Sequence, residues 1–196
     1  MNRLNPRNPL VIDARELQRR PGSMQEVSRV VGAPEDLGTD VIAVPAGSPV
    51  ALELRLESVL EGILVSGSVS TTAIGACVRC LETATYPVDA TLQELFAYPE
   101  RAAHHHEVDA ESVEDDEREL VDDLIDLEPS LRDTVVPALP FQPVCRVDCP
   151  GLCSECGALL ADDPDHHHDT FDPRWASLSG LLDETGPGST ETEKRN

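Results

Sequence analysis

The sequence predicts an α+β fold, built on an antiparallel β-sheet or small open barrel with a few short helices and a cysteine-rich C-terminal segment. The first observation is a period-two pattern, in which Val50, Leu52, Leu54 and Leu56 alternate with small or charged residues. This pattern is typical of an antiparallel strand with one face in water. The second is size, because 196 residues with 40% hydrophobic content can bury one core and a small appended module.

The sheet is expected to occupy residues 41–98, within an N-terminal region that spans residues 1–98. A tight hairpin is predicted at Glu61–Gly62, which separates two alternating runs, and further strands should follow it. Ahead of the sheet, residues 10–20 have the composition of a short helix, with Asp13 as its N-cap. The first half of the chain should therefore provide most of the core.

The composition changes after the sheet. Between residues 100 and 128 the chain has 13 acidic residues, two arginines and no aromatic residue, so residues 99–119 are expected to form an acidic, disordered loop. A helix is predicted to begin at Glu128–Pro129 and to end at Pro140, which makes residues 120–143 a helical region packed on the sheet. Residues 144–172 are expected to form a Cys/His metal-binding segment, and residues 173–196 a short helix followed by a flexible tail.

The chain is strongly acidic, with a formal net charge of −22 from 37 acidic and 15 basic residues. Such a chain repels a phosphate backbone, which disfavours broad nucleic-acid binding and favours basic protein partners. Residues 1–10 lack the apolar run of a signal peptide, and no run reaches membrane-spanning length. We expect a cytoplasmic protein with no membrane partner, and in that reducing compartment the six cysteines are expected to be metal ligands.

The cysteines occur in pairs whose spacing is typical of structural zinc sites. Cys77 with Cys80, and Cys153 with Cys156, are C-x-x-C pairs, a spacing that lets two thiolates reach one ion from a tight turn. A glycine follows the second pair directly, which gives its turn the backbone freedom it needs. The segment that carries the second pair is too polar to own a core, so metal is the expected source of its stability.

Eight side chains are available as ligands, which is enough for two closed tetrahedral sites. The candidates are Cys77, Cys80, Cys145, Cys149, Cys153, Cys156, His166 and His168. In one arrangement, the four cysteines up to residue 149 hold one ion, and the later cysteine pair holds a second ion with the two histidines. In the other, the two C-x-x-C pairs share one ion, and Cys145 with Cys149 is spare or forms a weaker site. The spacing alone is compatible with both, so the prediction is one or two structural Zn²⁺ ions.

Other uses of these residues are disfavoured. A redox C-x-x-C belongs at a helix N-terminus after a strand, whereas Cys77 and Cys80 lie in strand-like sequence. The histidines at residues 104–106 have no neighbouring cysteine and are expected to be solvated. Zinc hydrolases and deaminases need an open coordination position and a general base, and the sequence has neither the combination of His-x-Glu with Pro-Cys-x-x-Cys nor a His-Glu-x-x-His motif. We therefore predict no catalytic site and no small-molecule substrate.

Seven short motifs follow one another along most of the chain, and their order and spacing are more specific than any one of them. They are Arg20-Pro21-Gly22-Ser23, Cys77-Val78-Arg79-Cys80-Leu81, Asp126-Leu127-Glu128-Pro129, Ala138-Leu139-Pro140, Cys145 with Cys149, Gly151-Leu152-Cys153 with Cys156-Gly157, and Asp172-Pro173-Arg174-Trp175. Together they resemble the YceD family of bacteria and plastids. Every basic residue but Lys194 is an arginine, which suggests a member from a GC-rich bacterium.

The resemblance implies a non-catalytic role in the accumulation or processing of 23S ribosomal RNA. It implies as partners a large-subunit ribosomal protein or a precursor particle, with the 23S RNA itself as a further possibility. Some family members lack the second cysteine pair, and others have a C-x-C pair where this chain has His166 to His168. The two sets of ligands therefore vary independently among family members, which favours the first arrangement. The competing interpretation is a zinc-ribbon adaptor that binds proteins outside the ribosome, for example in transcription.

Overall fold

The computed structural model describes residues 4–17, 19–101, 118–168 and 174. The described secondary structure includes nine strands and one helix that is described over its full length. The strands are Val11–Asp13 (β1), Met24–Gly32 (β2), Leu37–Gly38 (β3), Ile42–Val44 (β4), Pro49–Ser58 (β5), Gly62–Ala76 (β6), Thr83–Ala97 (β7), Arg118–Glu119 (β8) and Leu124–Asp126 (β9). The helix is Glu128–Val135 (α1), and short 3-10 turns occur at Arg15–Leu17 and Val136–Ala138.

A seven-stranded, mostly antiparallel sheet dominates the fold, as the sequence predicts, but it includes β2 and β3, which lie ahead of the expected residues 41–98. Its strands run in the order β2-β5-β6-β4-β3, with β7 paired along β6 and the short β8 parallel to β7. β6 pairs with β7 along its whole length, residues 62–76. The other edge of β6 pairs first with β5 and then, towards its C-terminal end, with β4. The expected hairpin at Glu61–Gly62 is confirmed, since Val59 N–H donates to Gly62 O at 2.9 Å.

The core lies on one face of this sheet. The alternating residues of β5 that the sequence singled out are all buried, and they pack with β6 and β7 side chains such as Val65 and Phe96. α1 adds Leu131 and Val135, both fully buried, and Leu139 follows from the 3-10 turn. A buried leucine or valine contributes about 1.5–3 kcal/mol through the hydrophobic effect. The sheet and α1 therefore share one core.

The N-terminal helix predicted at residues 10–20 is wrong. Val11 and Ile12 instead belong to β1, which pairs antiparallel with β9, and both are buried. Their branched side chains suit a paired strand better than a helix. Asp13 does accept a hydrogen bond from the N–H two residues on, at 3.1 Å, but this closes a local turn into the 3-10 segment.

The chain divides into two compact units, residues 1–150 and 151–196. The first contains the sheet and α1. In the second, the described residues form turns with an isolated bridge between Leu152 and Leu159. None of the helices among the described residues has the length and apolar character needed to traverse a lipid bilayer. Most of the predicted acidic loop and the predicted helix around Trp175 lie outside the described residues.

Candidate metal centres

The first C-x-x-C pair lies in the connection between β6 and β7. β6 ends at Ala76 and β7 begins at Thr83, so Cys77 and Cys80 occupy a turn and not a strand, which corrects the sequence-based placement. Both are buried. The turn is closed by the N–H of Cys77, which donates to Glu82 O at 2.8 Å. The two longest strands of the sheet thus form a rigid base for the first pair.

Cys145 and Cys149 reach the same place from the segment that follows α1. Tyr86 on β7 positions this segment: its hydroxyl donates to Val144 O at 2.6 Å and accepts the N–H of Val144 at 2.5 Å. The phenol thus satisfies both backbone groups of the residue that precedes Cys145. A contact between residues 58 positions apart therefore fixes where the second half of the site begins.

Arg79, inside the first turn, holds the other end of this segment. Its guanidinium donates to Cys149 O at 3.0 Å and to Val147 O at 3.3 Å. The N–H of the neighbouring Val78 donates to Pro143 O at 2.8 Å. The turn and the later segment are thus joined on both sides of the cysteines.

The four thiols form one compact group, which we call the first group. The Sγ atoms of Cys77 and Cys149 are 3.8 Å apart, those of Cys80 and Cys145 are 3.6 Å apart, and all four lie within 4.8 Å of one another. A tetrahedral zinc ion with Zn–S bonds of about 2.3 Å requires sulfur–sulfur separations of about 3.8 Å. The first group therefore has the spacing of a Cys₄ zinc site.

Electrostatics in the first group also favour a cation. Burial acts to raise the pKa of Cys77, but backbone N–H groups of Cys145, Cys80 and Arg79 donate to its sulfur and lower that pKa to about 6. Although Cys145 is exposed as a residue, partial desolvation of its sulfur and the neighbouring sulfurs of Cys80 and Cys149 raise its pKa to about 12. One thiolate thus forms readily, and further thiolates are opposed by it unless positive charge is added.

The second C-x-x-C pair forms a turn with the same backbone pattern. The N–H of Cys153 donates to Ala158 O at 2.8 Å, and the N–H of Gly157 donates to Cys153 O at 2.9 Å. Gly157 has a φ of +74°, a left-handed conformation that glycine adopts without strain. The glycine that follows the second pair in the sequence therefore has the structural role predicted for it.

Two histidines complete the second group. The Nε2 atoms of His166 and His168 are 2.9 Å apart, and they lie 3.2 and 3.3 Å from the Sγ of Cys156. Together with Cys153, the four ligand atoms lie within 4.8 Å. For Zn–N bonds of about 2.0–2.1 Å and Zn–S bonds of about 2.3 Å, these separations are a few tenths of an ångström short. The donor set is that of a Cys₂His₂ zinc site.

Neighbouring groups tune the second group as well. Backbone N–H groups of Cys156 and Glu155 donate to the sulfur of Cys153 and lower its pKa to about 6, against the effect of burial. The Nδ1 of His166 faces the carboxylate of Asp163 at 3.8 Å, the kind of contact that orients a ligating imidazole. His167, between the two candidate ligands, instead has its Nδ1 2.9 Å from Asp165 O.

The two groups differ in their exposure to solvent. Three cysteines of the first group are buried, and only Cys145 is exposed. In the second group Cys156 and His168 are exposed, and the other two are half-buried. An ion in the first group would be shielded by protein, whereas one in the second group would be open to water and competing ligands.

All eight predicted site residues are therefore brought into groups of four, and the grouping is that of the first of the two arrangements. Each group could hold a metal ion, and the donor atoms are compatible with zinc. The histidines at residues 104–106 lie outside the described residues. Sequence reasoning missed Tyr86 and Arg79, which position the first group. A tyrosine at the fourth position of β7 carried no signal, because its partner lies far along the chain.

Comparison with known proteins places the chain in a family. Residues 65–182 match the family model described as "Large ribosomal RNA subunit accumulation protein YceD". This range includes both groups of candidate ligands and covers more than half of the chain. The chain belongs to the YceD family, and the sequence-based resemblance is confirmed. The family description ties the family to accumulation of the large ribosomal RNA.

The curated relatives extend this similarity over most of the chain. An uncharacterized protein of Mycobacterium tuberculosis is 45% identical over 182 residues, which is 93% of this chain and 84% of the relative. An uncharacterized protein of Mycobacterium leprae is 42% identical over 186 residues, or 95% of this chain and 83% of the relative. The uncharacterized protein YlbN of Bacillus subtilis is 27% identical over 143 residues, or 69% and 75%. No solved structure matches the chain.

Proposed function

We propose that this protein is a non-catalytic factor in biogenesis of the large ribosomal subunit, and that it supports accumulation or processing of 23S ribosomal RNA. It acts through a basic large-subunit protein, a precursor particle or the RNA itself, in the cytoplasm. The match of residues 65–182 to the YceD family model carries this proposal. The matched range holds most of β6, β7, α1 and all eight candidate ligands, so the similarity covers both candidate metal centres.

Both ligand groups hold structural Zn²⁺ in this proposal. Each group offers four protein donors, which fill a tetrahedral coordination sphere and leave no position for a water nucleophile. Zinc supplies folding free energy to such sites, and that matters most for the second unit, where the described residues form turns without a core of their own. Closed sites of this kind support a binding role, and for this reason we propose no catalytic activity.

The charge of the chain supports a basic partner. At −22, the protein attracts positively charged surfaces and accelerates their encounter, and it disfavours direct contact with a bare phosphate backbone. Proteins that assemble with ribosomal RNA are such partners, because their surfaces must neutralise phosphate. We therefore favour contact with a large-subunit protein over contact with the RNA.

The test is depletion of the protein from cells of the organism that encodes it. Ribosomal particles are then separated on sucrose gradients, and 23S RNA and its precursors are quantified. The expected result is a lowered ratio of large to small subunits and a lowered ratio of mature 23S to 16S RNA. Unchanged profiles after complete depletion would contradict the proposal.

A complementation panel separates a specific role from a general effect of slow growth. Wild type, a double variant lacking one ligand of each group (Cys80→Ser with Cys156→Ser) and a control, Ser68→Ala on the partly exposed outer face of β6, are returned to depleted cells. Wild type and control should restore the large subunit, and the double variant should not. Affinity capture tests the alternative function. Recovery of polymerase subunits without ribosomal proteins would favour an adaptor that acts outside the ribosome.

A further inference from the structure

Exposed apolar side chains are concentrated around the first group of cysteines. The described part of the chain exposes eleven large hydrophobic side chains, and six belong to segments that meet at the turn between β6 and β7. We call these six the turn surface: Val41, Ile74, Val78, Leu81, Phe141 and Val147. Phe141 and Val147 are 92% and 90% exposed, so they contribute almost nothing to the core. Concentrations of this kind mark sites of protein interaction.

The backbone under the turn surface is held by hydrogen bonds from several segments. Val78 N–H donates to Pro143 O at 2.8 Å, which ties the turn to the segment that carries Phe141. Arg79 donates to Val147 O at 3.3 Å. On the other side, the N–H of Ala76 donates to Val41 O at 3.4 Å. A surface fixed in this way loses little conformational entropy when it binds a partner.

Leu81 gives a second, independent indication. Its φ is +64°, the left-handed conformation that costs a leucine free energy and a glycine almost none. The equivalent position in the second turn is Gly157, at φ +74°. The side chain of Leu81 is 68% exposed and buries little area that could offset this strain. Because burial of the side chain does not offset this strain, the strain indicates that the side chain serves binding and not the stability of the fold.

Charge around the turn surface indicates the kind of partner. Three of its apolar residues have an exposed acidic neighbour in the chain: Val41 follows Asp40, Leu81 precedes Glu82, and Val147 precedes Asp148. Of the nearby basic residues, Arg79 donates to backbone carbonyls, and Arg146 is paired with Asp148 at 3.5 Å. The apolar residues of the turn surface thus have acidic neighbours along the chain, and both nearby arginines are engaged within the protein, which favours a basic partner over a polyanion.

We propose that the turn surface docks a segment of a basic protein. The segment places one or more apolar side chains against Leu81, Phe141 and Val147, and lysine or arginine side chains beside Glu82 and Asp148. This inference rests on the proposed function, since the basic proteins available to such a factor are those of the large subunit. It goes further by assigning the contact to one surface and by giving the first metal site a role, which is to hold that surface together.

The test measures direct binding by the full-length, zinc-loaded protein. The probes are the proteins extracted from purified large ribosomal subunits, assayed one at a time, and deproteinised 23S RNA. The test variant combines Leu81→Gly with Phe141→Ala. The matched control is Leu60→Ala, which removes a side chain with the same 68% exposure as Leu81 from the hairpin between β5 and β6, at the other end of β6. Zinc content and melting temperature are compared first; the zinc content should equal that of wild type, and the melting temperature should be no lower.

We expect at least one basic large-subunit protein to bind, with affinity lowered at least tenfold in the test variant and less than twofold in the control. A second variant, Glu82→Gln with Asp148→Asn, should weaken binding and reduce its dependence on salt, because it removes two rim charges. Equal binding by the test variant and the control overturns the proposal. So does binding of the RNA without any of the proteins, or no binding at all.

The same variants in cells distinguish this inference from the proposed function. If depletion lowers the large subunit and the Leu81→Gly, Phe141→Ala variant restores it fully, the docking surface is refuted and the proposed function stands. If depletion leaves the subunits unchanged, the proposed function itself fails. If depletion lowers them and only the control restores them, both are supported.

Discussion

Leu81 and Gly157 occupy the same position in two turns that otherwise share one backbone pattern. The N–H of Leu81 donates to Cys77 O and the N–H of Gly157 donates to Cys153 O, both at 2.9 Å. The N–H of Cys77 donates to Glu82 O and the N–H of Cys153 donates to Ala158 O, both at 2.8 Å. The φ angles are +64° and +74°. One fold thus uses a leucine and a glycine for the same task, although only glycine does so without strain.

Replacing Leu81 with glycine should therefore not destabilise the protein. Relief of left-handed strain favours the folded state by about 1–2 kcal/mol, and the added freedom of the unfolded chain offsets about 0.4–1 kcal/mol of this. Thermal unfolding of the zinc-loaded protein should show an unchanged or higher melting temperature, with unchanged zinc content. The reverse change, Gly157→Leu, should lower zinc retention in the second group. A clear loss of stability in Leu81→Gly would show that this side chain serves the fold.

Two ions per chain are expected, and each group should lose its ion independently. Cys80→Ser removes a buried thiol from the first group, and Cys156→Ser removes an exposed one from the second. Because the groups share no ligand, each single variant should retain one zinc per chain and the double variant none, measured by elemental analysis of purified protein. The Ser68→Ala variant serves as the control and should retain two. Complete loss in either single variant would indicate one shared ion.

The two ions should leave at different rates. Three of the four sulfurs of the first group are buried and only Cys145 is exposed, whereas Cys156 and His168 of the second group are both exposed, so a chelator reaches the second group with less local opening of the fold. Transfer of zinc to a chromogenic chelator should show two phases of equal amplitude. The fast phase should be missing from Cys156→Ser and kept in Cys80→Ser. Two phases that persist in Cys156→Ser, or a single phase in wild type, would contradict this assignment.

Local sequence patterns were sufficient to predict the sheet and the candidate ligands. Prediction failed where the local structure depends on contacts between residues far apart in the chain. β5 and the Glu61–Gly62 hairpin could be predicted because strand alternation and turn formation depend on residues that are close in the sequence. Val11 and Ile12 form a strand only because β9 is beside them, more than a hundred residues along the chain. The conformation of Leu81 was equally hidden, because leucine is a residue that local rules exclude from positive φ.

The choice between the two ligand arrangements depended on a contact of the same long-range kind. Spacing gave eight donors but did not say which thiols meet, because the position of Cys145 is set by Tyr86 through the backbone of Val144. No periodicity or motif links a tyrosine on β7 to that residue. The resemblance to the YceD family favoured the grouping that the structure has, and it did so without giving this physical cause.

Tyr86→Phe tests that cause directly. The phenol hydroxyl bridges the N–H and the carbonyl of Val144, at 2.5 and 2.6 Å, and its removal leaves two part-buried backbone groups without this partner. The expected loss is about 1–3 kcal/mol of unfolding free energy, measured by urea denaturation of the zinc-loaded protein. Because the segment with Cys145 loses its anchor, the slow phase of zinc release should accelerate while the fast phase stays unchanged. Slow release at the wild-type rate would mean that Arg79 and the cysteines hold the segment without the tyrosine.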